Sequence, residues 1–205
     1  MLNKSSPTII LVFGLLILSA SILSGCGPKA FTQGGYDDPN KVILLDDKFG
    51  ENDMQLISNK LVDSLVQYDK IEGAKQPPLV MVGKVRNHTS EHIDIKSLTD
   101  KIRTALIRSG KFRFADKEAR DEIAEEYEYQ AGKNVDKSTA KGPGKQVGVG
   151  YLITGDVASN VQEVGNDKVI YYKVTLNLTN LETNVIEWSD DKEVRKRYRK
   201  RSIGM

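Results

Sequence analysis

Cysteine is almost absent from this chain: one residue in 205. That excludes an intramolecular disulfide and any Cys-rich metal site. Histidine occurs twice, so no site can be built from imidazoles alone. An excess of either charge is missing too. Lys and Arg total 30, Asp and Glu 28, and the formal net charge is +2. A broad footprint for nucleic acid needs a clear basic excess, so nucleic acid is not an expected partner. Aromatics are few, at 7%, but apolar residues reach 39%, which sets the body apart from a disordered polar chain. At this length one domain of ordinary size is expected, with room for a real core.

Charge is sparse in the first stretch. Lys4 is the only charged residue before Lys29, and between them lies Ile9-Ile10-Leu11-Val12-Phe13-Gly14-Leu15-Leu16-Ile17-Leu18. Ten helical residues span about 15 Å, half of a bilayer core of about 30 Å. A positive start, a short apolar run and then small residues is the order of a signal peptide rather than of a spanning helix. The small residues are Leu23-Ser24-Gly25-Cys26, which resembles the bacterial lipobox. Chemistry explains why a cysteine ends it. The Cys26 thiol can take a diacylglyceryl group as a thioether, and cleavage before it frees an amine for a further acyl chain. One acyl chain anchors only marginally, whereas several hold. Cys26 is therefore the expected lipidation site and residues 1–25 the signal peptide. Gly27, not Asp, follows the cysteine. The expected location is the outer membrane, lipid-anchored and facing the periplasm.

Residues 26–40 carry Pro28, Gly34, Gly35 and Pro39 and read as a short linker. A single globular domain is expected over residues 41–205. Asn52 is placed to cap a helix running to about Tyr68, with Met54, Ile57, Leu61, Leu65 and Tyr68 on one face. Pro77 and Pro78 break the chain. Leu79-Val80-Met81-Val82 is a continuous apolar run, as in a central strand. A polar loop follows over residues 87–93. Asp94 and Gly110 bracket a second helix, with Leu98, Ile102, Ala105 and Leu106 as its core face. Phe112-Arg113-Phe114 reads as a short strand. Asp116 can cap a third helix to about Gln130, with Ala119, Ile123 and Tyr127 inward. A polar connection over residues 133–144 leads to a short helix expected over residues 143–147. Tyr151 starts a further strand, and Gly165-Asn166-Asp167 is turn chemistry. Beyond it Ile170, Tyr172, Val174, Leu176 and Leu178 alternate with Tyr171, Lys173, Thr175, Asn177 and Thr179. A second turn near Thr183-Asn184 precedes Val185-Ile186-Glu187-Trp188. The order predicts an α/β (α+β) domain: a mixed sheet with a C-terminal antiparallel meander and helices covering one face.

Catalytic chemistry has few footholds. His88-Thr89-Ser90-Glu91-His92 matches a zinc-peptidase pattern, H-x-x-E-H, that needs a helix. Here a strand precedes it and the Asp94 cap follows, so a loop is expected, turned by Asn87 and Thr89, and no metal site. Gly142-Pro143-Gly144-Lys145-Gln146 fails as a phosphate loop. Gln146 stands where Ser or Thr is needed, and the segment precedes a strand instead of following one. No nucleophile with a partner base is visible. The reading is therefore not an enzyme: no catalytic residue, no cofactor and no small-molecule substrate. Charge clusters remain on the third helix (Asp116, Glu118, Asp121, Glu122, Glu125, Glu126, Glu128) and in a basic C-terminal tail (Lys192, Arg195, Lys196, Arg197, Arg199, Lys200, Arg201). Each suits a solvated face or a charged partner, which for the tail means acidic peptide stems or anionic lipid. Antiparallel meanders often leave one face solvated, and tyrosine suits an interface anchor. Tyr171, Lys173 and Thr175 are therefore the expected partner-binding residues.

Several segments resemble the LpoB family, lipoprotein activators of bifunctional penicillin-binding proteins. L-I-S-N-K-L-V-D-S-L (residues 56–65) resembles its first helix. V-G-K-V-R-N-H-T-S-E-H-I-D-I-K (residues 82–96) is similar to its strand and N-x-T-x-E-x-I-D loop. L-T-D-K-I-R-T-A-L-I-R-S-G-K-F-R-F (residues 98–114) resembles the helix and strand that follow. G-K-Q-V-G-V-G-Y-L-I-T-G (residues 144–155) resembles a later segment, with Val149-Gly150 in place of the usual Ala-Asp. The resemblance implies a fold similar to the TolB amino-terminal domain. It implies a non-enzymatic role, binding the regulatory domain of a class A penicillin-binding protein and promoting peptidoglycan synthesis. The linker departs from the family, being short where well-known members carry long Pro-rich ones. The alternative function on the same fold is assembly of an envelope or secretion complex.

Overall fold

Apolar spacing builds the first helix. In the computed structural model, which describes residues 35–39 and 41–200, Ile57, Leu61 and Leu65 recur every fourth residue along α1 (Glu51–Val66) and are buried. The start of α1 differs from expectation. Gly50, not Asn52, is its N-cap. Asp53, at the third helical position, accepts the Gly50 N–H at 2.8 Å, the back-reaching half of a capping box. Asn52 lies inside the first turn and donates to the Ile43 carbonyl at 2.7 Å. A one-turn helix follows, α2 (Asp69–Glu72), too short to leave a periodic signal. The signal peptide, Cys26 and most of the linker lie outside the described residues.

The apolar run forms β1 (Leu79–Asn87). α3 (Ile95–Arg108) starts where Asp94 predicts, its side chain accepting the Ser97 N–H at 3.0 Å. Gly110 ends it at φ 72°, a left-handed conformation open to glycine. Leu98, Ile102 and Leu106 are buried, and Ala105 is half-buried. The short strand is β2 (Arg113–Phe114). The third long helix, α4 (Arg120–Ala131), corrects its expectation. Asp116 accepts from Glu118 N at 3.0 Å and Ala119 N at 3.2 Å, closing a turn ahead of the helix rather than capping it. No α4 residue is buried. Ala119, Ile123 and Tyr127 are only half-buried, because five carboxylates leave the helix no continuous apolar stripe. The short helix expected over residues 143–147 is a turn. Gly144 has φ 95°, which a right-handed helix cannot contain.

Three long strands complete the sheet: β3 (Tyr151–Val164), β4 (Asp167–Asn180) and β5 (Ile186–Arg199). The strand order is β2-β1-β3-β4-β5. β1 runs parallel to β2 and β3, while β3, β4 and β5 are antiparallel. This is the mixed α+β sheet with a C-terminal meander. Val164 pairs with Asp167 across the first hairpin, and Gly165 has φ 59° at the first central turn position, where a type II′ turn places glycine. The period of two holds: Ile170, Tyr172, Val174, Leu176 and Leu178 are all buried and their alternates are not. α1 and α3 pack on that face, joining Val80, Ile153, Val157 and Trp188 in one core. Gly155 is needed where strands crowd, since a Cβ there would lie 2.6 Å from Leu176 Cδ2.

The basic segment is not a tail. Lys192, Arg195, Lys196, Arg197 and Arg199 lie in β5, and alternation sends them to different faces. Arg195, Arg197 and Arg199 are exposed. Lys196 turns inward and is only 6% exposed. Its ammonium meets the Asp53 carboxylate at 2.8 Å, donates to the Lys48 carbonyl and stands 5.2 Å from the Tyr172 ring centroid. Residues 46–49 thus form a strap across the ends of β4 and β5. Phe49 meets Tyr172 edge-on at 5.4 Å between centroids. The Tyr198 hydroxyl donates to the Asp46 carbonyl, and Lys168 pairs with Asp47 at 2.6 Å. Among the described residues no helix is long and apolar enough to cross a membrane.

Candidate binding surface

The outer face of the sheet is built by the alternation that builds the core. On β4 it presents Tyr171, Lys173 and Thr175, all half-buried. Register places Thr175 between Asp156 on β3 and Asp191 on β5. Lys173 stands opposite Glu193, and Tyr171 opposite Arg195. Side chains then pair diagonally. The Tyr171 hydroxyl donates to Glu193 at 2.5 Å, and the carboxylate, first among its neighbours, holds the phenol above its ordinary pKa. Lys173 lies 3.7 Å from Asp191. The three expected binding residues therefore share one face and one strand, ringed by charge.

Sequence reasoning missed the neighbouring group. Arg86 at the end of β1 grips Asp156 with two hydrogen bonds, 2.7 and 3.0 Å. His88 Nε2 lies 2.8 Å from the same carboxylate. The Arg86 guanidinium, and secondarily His88, hold the Asp156 carboxyl below the ordinary carboxylate range against the cost of burial. No local motif marks this trio, because its members meet only through the parallel pairing of Arg86 with Asp156. Its stability contribution has a defined sign. A lowered native pKa stabilises above the unfolded value of about 3.9 and stops doing so as pH falls through the native value. The gap in urea midpoint between the wild type and Asp156→Asn should narrow as pH falls below about 4 and close below the native value. A gap unchanged into acid would refute the assignment.

His88 and His92 stand in a loop, as flanking signals predict. Asn87 Oδ1 accepts from Thr89 N at 2.9 Å and Thr89 Oγ1 at 2.8 Å, and Asn87 Nδ2 donates to the Glu91 carbonyl at 2.8 Å. The loop holds Glu91 for a structural task. One carboxylate oxygen accepts the Phe49 N–H at 2.8 Å, the other the Tyr172 hydroxyl. Burial first, and Glu91 next, push the Tyr172 phenol far above its ordinary pKa, so it stays a donor. Among the described residues no group of three or more His, Cys, Asp or Glu side chains is placed to hold a metal ion. The glycine-rich segment before β3 leads into no helix, so it offers no helix N-terminus to a phosphate.

Comparison with known proteins bears on the whole domain. The family model described as "Peptidoglycan-synthase activator LpoB" matches residues 53–194, from the first turn of α1 into β5. No curated protein matches. The LpoB C-terminal domain from Salmonella enterica is 20% identical, with 69% of this chain and 98% of that one covered at a TM-score of 0.42. The LpoB C-terminal domain from Escherichia coli is 18% identical over the same shares, at 0.46. Lipoprotein GNA1162 from Neisseria meningitidis is 14% identical, over 58% of this chain and 83% of that one, at 0.38. With the family model spanning more than half of its residues, the chain belongs to the LpoB family.

Proposed function

We propose that this chain is a lipid-anchored periplasmic regulator that binds the regulatory domain of a class A penicillin-binding protein and promotes peptidoglycan synthesis. The family match over residues 53–194 carries the reading. The chain divides into a signal peptide (residues 1–25), a lipidated Cys26 with a short linker (residues 26–40), and one binding domain (residues 41–205). The domain acts by docking, not by chemistry, and needs no cofactor, metal or small-molecule substrate. Docking stimulates the synthase only if its active conformation binds more tightly than its resting one. The outer sheet face supports the reading with an aromatic residue among paired charges, since aromatic anchors dominate interfaces.

The anchor is tested at Cys26. Cys26→Ala should abolish incorporation of labelled acyl chains and release the protein from the membrane fraction; unchanged labelling refutes it. The binding face is tested by affinity for the purified synthase. Tyr171→Ala should weaken binding about thirtyfold, as loss of an interface anchor does. Glu122→Lys with Glu126→Lys on α4 should leave it unchanged, once circular dichroism shows both variants folded. Loss only in the α4 variant moves the interface to the helix. Affinity capture from membrane extracts that yields other envelope proteins and no synthase favours complex assembly instead.

A further inference from the structure

One end of the domain combines features that the binding face does not use. The described chain enters the domain at Val42, and residues 42–45 are Val-Ile-Leu-Leu. Val42 and Leu44 are exposed, and Leu45 is 91% exposed. Directly after them, Asp46 and Asp47 are fastened to Tyr198 and Lys168 at the tip of the long strands. Val164, on the last pair of the β3–β4 hairpin, is 79% exposed at the same tip. β5 also ends there, with Arg197 and Arg199, and Lys200 N–H bonds the turn residue Asn166 at 2.8 Å.

The carboxylates at this end are mostly spent. Asp47 and Glu163 bind Lys168, and Asp167 binds Arg199 at 3.0 Å. Among the described residues Asp46 is in no ion pair and accepts the Lys48 N–H. Arg197 and Lys200 have no ion-pair partner among the described residues. Exposed aliphatic residues rimmed by exposed cations outside close ion pairs fit a peripheral membrane contact. The proposed anchor favours the same occupant: Val42 lies sixteen positions after Cys26, and sixteen residues of chain reach at most about 58 Å.

We propose that this tip seats on the anionic phospholipid surface to which the chain is tethered, an inference that rests on the lipid anchor at Cys26. Leu44, Leu45 and Val164 enter the headgroup layer, and Arg197 and Lys200 meet lipid phosphates. Thr175 lies eight residues along β4 from Asp167, about 27 Å away, so much of the outer sheet face stays clear of the membrane.

The mature acylated protein carrying Val164→Cys has one free thiol, because Cys26 is then a thioether. A polarity-sensitive fluorophore on that thiol is read in phosphatidylcholine vesicles with and without phosphatidylglycerol, and flotation of the same vesicles reads the anchor. Blue-shifted emission is expected only with phosphatidylglycerol, weakened by high salt. Arg197→Gln with Lys200→Gln should lower the ratio of docked to undocked protein roughly 25-fold, about fivefold per cation. Lys101→Gln with Lys117→Gln, an equal charge change elsewhere, should not move it. Leu44→Asn with Leu45→Asn should remove the shift and leave flotation intact. Emission equal in both vesicles, or indifferent to Arg197 and Lys200, overturns the proposal while flotation keeps the anchor. Protein that does not float removes the anchor and the proposal together. Retention on peptidoglycan sacculi that needs Arg197 and Lys200, without any lipid effect, also overturns it and assigns those cations to the wall.

Discussion

Asp53→Leu should destabilise the domain by about 3–5 kcal/mol, the cost of stranding a charge when one member of a buried ion pair is removed. Asp53 is 2% and Lys196 6% exposed, and the ammonium would keep only the Lys48 carbonyl and the face of Tyr172. Neither neutralises it. α1 would also lose the acceptor for Gly50 N–H in its first turn. The companion variant separates the two losses. Asp53→Leu with Lys196→Met removes both charges and fills the site with apolar atoms, so most of the stability should return. The remaining deficit should match a lost helix cap, about 1 kcal/mol. Urea unfolding followed by circular dichroism reads both. A single variant that unfolds at the wild-type midpoint would show that the pair does not hold the strap and α1 to β5.

Leu98→Ala should cost about 2–5 kcal/mol, the range for a large-to-small change at a buried site. Leu98 is fully buried on the face of α3 that meets the sheet. The lost methyl groups leave a void that neighbours fill only in part, because α3 is held at one end by the Asp94 cap and at the other by Gly110. Ile107, on the same helix, is 49% exposed. Ile107→Ala should change stability by no more than about 0.5 kcal/mol. Comparable losses at the two positions would contradict the burial of α3.

Elements whose signal is local were readable from the residues. The alternation over residues 170–179 set which β4 side chains go inward, because a strand turns successive residues to opposite faces. Asp94 and Gly110 marked the ends of α3 because capping and left-handed geometry are properties of single residues. Tyr171, Lys173 and Thr175 could be put on one outward face for the same reason. The family could be reached because its segments resemble contiguous stretches of this chain.

Contacts between distant segments were not readable. Asp53 and Lys196 are 143 residues apart, and a lysine in a basic run looks like solvated charge until a helix carries a carboxylate to it. Arg86, His88 and Asp156 meet because β1 pairs with β3 in parallel, a register that no short motif encodes. Glu91 resembled part of a metal motif and became an acceptor for Phe49 and Tyr172 once the strap crossed the sheet. α4 carries helix-forming residues, but its five carboxylates leave it no continuous apolar stripe with which to join the core. Periodicity and capping thus settle which segments form and which way they face. Pairing charges across the chain depends on which surfaces the fold brings together, since the cost of burying a charge is offset only when its partner arrives.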